Sequence, residues 1–164
     1  MKNVAVFFVS LFALAPLTGC QKVQEKLRQK AEEKALETAT GGDVRGSSGG
    51  ITVKGKNGEV VTVGAAATIP VDWPKNVPPY PGATVSSVLT MPGTYSLVLE
   101  TKDTPSQVRD FYKSKLTSMK SEMDMGNDRT RAMAFQDGKT SVNITASDEN
   151  DSKTGITIIV ANGT

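Results

Sequence analysis

Tyr95-Ser96-Leu97-Val98-Leu99-Glu100-Thr101-Lys102-Asp103-Thr104-Pro105-Ser106-Gln107-Val108-Arg109-Asp110-Phe111-Tyr112 changes its hydrophobic period halfway along. Tyr95, Leu97 and Leu99 alternate with Ser96, Val98 and Glu100, the period of two that marks a half-buried strand. Thr104-Pro105-Ser106-Gln107 then reads as a helix start, with Thr as N-cap, Pro at the first helical position and Gln at the third. Beyond it Val108, Phe111, Tyr112, Leu116, Met119 and Met123 recur every three or four residues, one apolar helical face. Gly126-Asn127 is the expected stop. A strand feeding one helix, with strands on either side, sets the fold class.

Working outward, Ala83 to Met91 alternates through Val85 and Val88-Leu89, and Pro92-Gly93 turns it back onto the Tyr95 strand. After the helix, Ala132, Ala134 and Met133-Phe135 mark a strand, Asp137-Gly138 a hairpin turn, and Val142 and Ile144 the next strand. Asp148 to Gly155 is a polar loop, and Ile156-Thr157-Ile158-Ile159-Val160 the last strand. The predicted order over 83–164 is β-β-α-β-β-β: an α+β domain with one helix covering one face of an antiparallel sheet.

Three segments precede that domain. Residues 69–82 hold five of the eight prolines and read as a stiff extended strap, with Trp73 and Tyr80 laid on the domain. Residues 51–68 read as a β-hairpin. Ile51/Val53 and Val61/Val63 alternate around Asn57-Gly58, a strong two-residue turn signal, and a lone hairpin must pack on something to be stable. Whether it joins the main sheet is open at this level. Residues 20–50 comprise Cys20, a helical segment and a flexible Gly/Ser linker, Gly46-Ser47-Ser48-Gly49-Gly50. In that segment Val23, Leu27, Ala31 and Ala35 recur every four residues with Leu36 beside the last, a narrow stripe among good helix formers. It reads as a tether that lifts the domain off a membrane. The alternatives are a helix docking on a partner or a second copy, and a helix lying on the bilayer, which lacks the broad apolar face and aromatic anchors such helices use.

Residues 1–19 have the layout of an export signal: Lys2, an apolar run from Val4 to Leu14, then small residues. The run is too short to span a bilayer, which takes roughly 20 apolar residues. Leu17-Thr18-Gly19-Cys20 resembles the lipobox of bacterial lipoproteins, with Leu three before the Cys and Gly just before it. The resemblance implies cleavage between Gly19 and Cys20 and a diacylglycerol, with further acylation such as palmitate, on Cys20. Gln21, where inner-membrane lipoproteins carry Asp, implies the periplasmic face of an outer membrane. Pro78-Pro79-Tyr80-Pro81-Gly82-Ala83, the Thr104-Pro105-x-x-Val108 helix start and Phe111-Tyr112 resemble a recurring domain of uncharacterised exported bacterial lipoproteins, over roughly residues 50–162. That family lends no established activity or site.

Composition narrows the chemistry. The 164 residues carry 19 Lys and Arg against 17 Asp and Glu, with no His and one Cys. The absence of His removes Ser-His-Asp and Cys-His catalysis and imidazole metal sites, and one Cys cannot close a disulfide or a zinc site. A formal charge of +2 gives no concentrated basic surface, so no nucleic acid is expected. Lys153-Thr154-Gly155 lacks the Ser-x-x-Lys companion that penicillin-recognising enzymes need. Asp148, Glu149, Asn150 and Asp151 lack calcium-loop spacing. Met119, Met123, Met125 and Met133 offer thioethers that suit Cu(I), but Met119 and Met123 fall on the expected core face, where Met fills gaps. No catalytic residue, metal or cofactor is assigned. The expectation is a lipid-anchored, non-enzymatic envelope protein whose domain binds a protein or envelope component. The alternative is a binder of a small apolar ligand between helix and sheet, lined by Phe111, Tyr112, Met119 and Met123.

Overall fold

The computed structural model describes residues 30, 34, 42–47, 49–149 and 152–163. The expected signal segment, Cys20 and most of the expected tether lie outside the described residues. Of residues 21–40, Lys30 and Lys34 are described, and both are helical and exposed. Among the described residues nine strands form one antiparallel sheet: β1 (Asp43–Ser47), β2 (Gly50–Lys54), β3 (Val60–Gly64), β4 (Thr84–Met91), β5 (Thr94–Thr101), β6 (Lys120–Gly126), β7 (Thr130–Gln136), β8 (Thr140–Asp148) and β9 (Thr154–Asn162). One helix, α1 (Pro105–Lys115), follows β5. The spatial order is β1-β2-β3-β4-β5-β9-β8-β7-β6. The chain meanders through β1–β5, crosses on α1 to the far edge, and meanders back until β9 slots in beside β5.

The expected sheet under one helix is present, but its layout differs from the β-β-α-β-β-β order in two places. First, β1 runs into the predicted Gly/Ser linker at Gly46-Ser47, and its Val44 and Gly46 pair with Val53 and Ile51. Small residues cost entropy in a strand, but here the ladder with β2 holds them. The 51–68 hairpin joins the main sheet through β3–β4, with Val61 opposite Leu89 and Val63 opposite Ser87. Its turn is one residue longer than a two-residue Asn-Gly loop. Gly55 N–H donates to the Glu59 carbonyl at 2.7 Å, so Lys56-Asn57-Gly58 forms the loop, with Gly58 at φ 90°. This is the three-residue hairpin whose last position needs a left-handed backbone.

Second, the helix is shorter than its apolar spacing suggests. It ends at Lys115 with Leu116 as C-cap, whose N–H donates to the Tyr112 carbonyl at 2.8 Å. Residues 120–126 form β6, so Gly126-Asn127 turns between two strands instead of stopping a helix. Thr117-Ser118 interrupts the good helix formers, and the ladder with β7 then takes Met123 and Met125 opposite Ala134 and Ala132.

The core lies between α1, the strap and one face of the sheet. Cross-strand pairs place Leu97 opposite Ile158, Ile158 opposite Ile144 and Ile144 opposite Met133, all nearly or fully buried. Val108, Tyr112 and Leu116 close this face from the helix. Trp73, Val77 and Tyr80 close it from the strap, which turns tightly at Pro70–Trp73 and Pro74–Val77. The Trp73 indole N–H donates to the Val77 carbonyl at 2.6 Å, and its ring meets Tyr95 edge-on at 6.0 Å. Buried aromatics with a polar end satisfied in this way act as anchors.

Candidate binding surface and cleft

Of the side chains expected to line a helix–sheet pocket, Phe111 and Tyr112 come together and Met123 does not join them. Tyr112 is fully buried, with Phe111 and Tyr80 packed against it at ring distances of 5.0 and 6.2 Å. Met119 is buried in the connection after α1. Met123, however, pairs with Ala134, which pairs with Asn143. That register puts Met123 on the sheet face opposite the helix, because side chains alternate along each strand. The helical spacing of Met119 and Met123 is therefore a coincidence of two elements. Cys20 and Gly19 lie outside the described residues.

A polar cleft of about 380 Å³ opens where β5 and β9 end and α1 begins, lined by Gly82, Thr84, Glu100, Lys102, Asp103 and Lys153 among others. Glu100, Lys153 and Asp103 are partnered there. Lys153 Nζ donates to Glu100 Oε2 at 2.9 Å, which raises the lysine pKa, and Tyr80 Oη donates to Asp103 Oδ2 at 2.7 Å. Burial, then the Asp103 carboxylate, pushes the Tyr80 phenol well above its usual range. Both carboxylates of the cleft thus hold hydrogen bonds. Among the described residues no three His, Cys, Asp or Glu side chains gather as metal ligands.

The opposite face of the sheet is the more unusual feature, and sequence reading strand by strand missed it. Following the register from β1 to β6, it presents Val44, Ile51, Val53, Val61, Val63, Leu89, Ser96, Val98, Thr157, Ile159, Asn143, Thr145, Ala132, Ala134, Met123 and Met125. Among its paired positions charge occurs only at Glu100 and Lys120, each at a strand end. Ile51, Val63, Ile159 and Met125 are exposed, at 40%, 49%, 39% and 58%. A solvated sheet face usually alternates to charged and polar residues. This one carries valine, isoleucine, leucine, alanine, serine and threonine instead. An uncharged face with exposed isoleucine, valine and methionine among serine, threonine and asparagine is the candidate interaction surface.

The strand next to α1 is anchored differently. Asp124 of β6, on the helix side, receives Arg109 Nη2 at 2.6 Å, Arg109 Nε at 2.8 Å and Lys113 Nζ at 2.8 Å. Hydrogen bonds from the two cations hold its carboxyl well below the usual carboxylate range. This cluster fixes the edge strand to the helix and faces away from the uncharged surface.

No family model, curated protein or solved structure matches this chain. No helix among the described residues is long and apolar enough to cross a membrane.

Proposed function

We propose that the chain is a non-enzymatic, lipid-anchored protein of the bacterial cell envelope, and that its domain binds a protein or envelope component through the uncharged face of the sheet. The observation that supports binding is that face: nine strands contribute to it and only its ends carry charge. The anchor rests on Leu17-Thr18-Gly19-Cys20, which resembles a lipobox, and on the preceding apolar run. Each buried methylene of an acyl chain contributes about 0.8 kcal/mol, so one chain holds weakly and two or three hold lastingly. Gln21 favours the outer membrane. The polar cleft favours no reaction, since each of its carboxylates is already engaged.

The test is crosslinking with mass spectrometry in intact cells, for the wild type and Cys20→Ser, with intact-mass analysis of the purified protein. The expected species begins at residue 20 and carries added glyceride mass, and it crosslinks to a defined envelope partner. Cys20→Ser should leave the domain folded and release it from the membrane fraction. Continued sedimentation of that variant with membranes, or a wild-type species lacking the added mass, would overturn the anchor. Loss of no crosslink when Val63→Lys and Ile159→Lys are placed on the face would overturn the binding surface.

A further inference from the structure

We infer that Asn57 is a site of spontaneous covalent modification: its side-chain amide closes onto the Gly58 nitrogen, loses ammonia and hydrolyses to aspartate or isoaspartate, whereas Asn162 is held against the same reaction. This chemistry is independent of what the uncharged face binds.

The sequence holds two Asn-Gly pairs, Asn57-Gly58 and Asn162-Gly163. In each, the residue after Asn has no Cβ, so no side chain shields its backbone nitrogen from the amide carbon. Asn76, Asn127 and Asn143 are followed by Val77, Asp128 and Ile144, whose side chains crowd that approach. Both Asn-Gly pairs are exposed, so exposure does not separate them. Their hydrogen bonds do. Among the described residues the Gly58 N–H has no acceptor and Asn57 Oδ1 has no donor. A Cβ built at Gly58 would meet nothing within 4 Å, so the space around the attacking nitrogen is open. At the other pair the Gly163 N–H donates to the Lys139 carbonyl at 2.5 Å and the Asn162 N–H to the Gly93 carbonyl at 2.8 Å. Asn162 Oδ1 accepts from Thr140 Oγ1 of β8 at 3.3 Å. The Gly163 nitrogen must leave its acceptor before it can lose its proton and attack.

The reaction balances with water as its one co-reactant, and nothing is oxidised. The Gly58 nitrogen gives up its proton and bonds to Asn57 Cγ. The Cγ–Nδ2 bond breaks, and Nδ2 leaves as ammonia carrying that proton. Water then opens the cyclic imide. Opening at Cγ gives aspartate, and opening at the main-chain carbonyl gives isoaspartate, which lengthens the backbone of the loop by one carbon. The product acts on the turn because the Asn57 N–H and Nδ2 donate to Glu59 Oε2 and Oε1, each at 3.1 Å. Nδ2 is the donor that is lost. A second carboxylate takes its place against Glu59, at the rim of a hollow of about 360 Å³ floored by Val53 and Val61. Like charges that close repel, so the product loosens the β2–β3 turn.

The experiment ages the full purified chain in mildly alkaline buffer made with heavy-oxygen water, folded and in urea. Peptide mass spectrometry then separates aspartate from isoaspartate at each position. The expected result in the folded protein is heavy oxygen at position 57, with isoaspartate present, appearing at least about tenfold faster than at position 162, where the Gly163 bond must first open. In urea the two positions should react at similar rates. Matching rates at 57 and 162 in the folded chain would overturn the inference, as would a difference that persists unchanged in urea, which would assign it to local sequence. The Gly55 N–H, which donates to the Glu59 carbonyl, should exchange its hydrogen faster in the aged fraction than in fresh protein. Unchanged exchange there would overturn the loosening of the turn.

Discussion

Asp124 shows what one carboxylate contributes at an edge. It joins β6 to α1 through Arg109 and Lys113, four charge-assisted hydrogen bonds on a side chain with 19% of its surface exposed. Asp124→Asn keeps the shape and removes the charge. It should cost about 1 kcal/mol near pH 7, the upper end for ion pairs close to the surface. The folded-state pKa lies below the unfolded value, so this stabilisation is fully present above about pH 4 and is lost as the pH falls below it. Urea unfolding of both proteins from pH 7 to pH 2 should show the gap narrowing only as the pH falls below about 4, with part of it still present at pH 3; a gap of unchanged size at pH 2 would assign the effect to packing. Tyr112 makes the opposite case. Its hydroxyl is buried with no hydrogen-bond partner among the described residues, and burial raises its pKa above the usual phenol range. Tyr112→Phe should therefore leave stability unchanged or raise it by up to about 1 kcal/mol, whereas Tyr80→Phe, which strips the bond to Asp103, should lower it by about 1 kcal/mol. Thermal melts of the two variants give the comparison directly, and a destabilised Tyr112→Phe would mean that the hydroxyl has a partner.

At the scale of elements, α1 depends on its first turn. Gln107 N–H donates to Thr104 Oγ1 at 3.3 Å and Thr104 N–H donates to Gln107 Oε1 at 2.9 Å, the reciprocal capping box that the sequence announced. Thr104→Ala should cost about 1 kcal/mol, while Thr104→Ser should be nearly neutral. Equal losses for the two would show that the methyl contact outweighs the cap. This start was legible because capping chemistry is local. So were Pro92-Gly93, whose glycine sits at φ 74°, and the Asp137-Gly138 turn. What stayed hidden depends on pairing partners far along the chain. β1 consists of Asp-Val-Arg-Gly-Ser, which resembles a linker until β2 is beside it. β6 carries Met123 and Met125, and Met119 with Met123 matches a helical repeat just as well as alternation matches a strand. The stretch that resembles a lipobox is contiguous, Leu17 to Cys20. The uncharged face is not contiguous at all. Each strand supplies every second residue, so the surface exists only once eight registers are known.

The whole molecule hinges on β9. The chain's two meanders, β1–β5 and β6–β8, meet only through it, because β5 pairs with β9 on one side and β8 pairs with β9 on the other. The last of the described strands in sequence thus lies inside the sheet, next to the middle strand β5, and neither half has its full set of backbone partners until it arrives. Ile158 and Ile159 sit side by side on this strand and face opposite ways. Ile158 is fully buried between Leu97 and Ile144, and Ile159 is 39% exposed between Ser96 and Asn143. Ile158→Ala removes core volume that rigid neighbours on both strands cannot refill, and should cost about 3 kcal/mol. A small domain commands roughly 5–15 kcal/mol in total, so that single change should move the urea midpoint far while one cooperative transition remains, since β9 serves both halves. Ile159→Ala makes the same chemical change one residue along and should cost less than about 1 kcal/mol. Equal costs would mean that Ile159 is covered in the folded protein. Two transitions in Ile158→Ala would mean that the meanders fold independently of the strand that joins them.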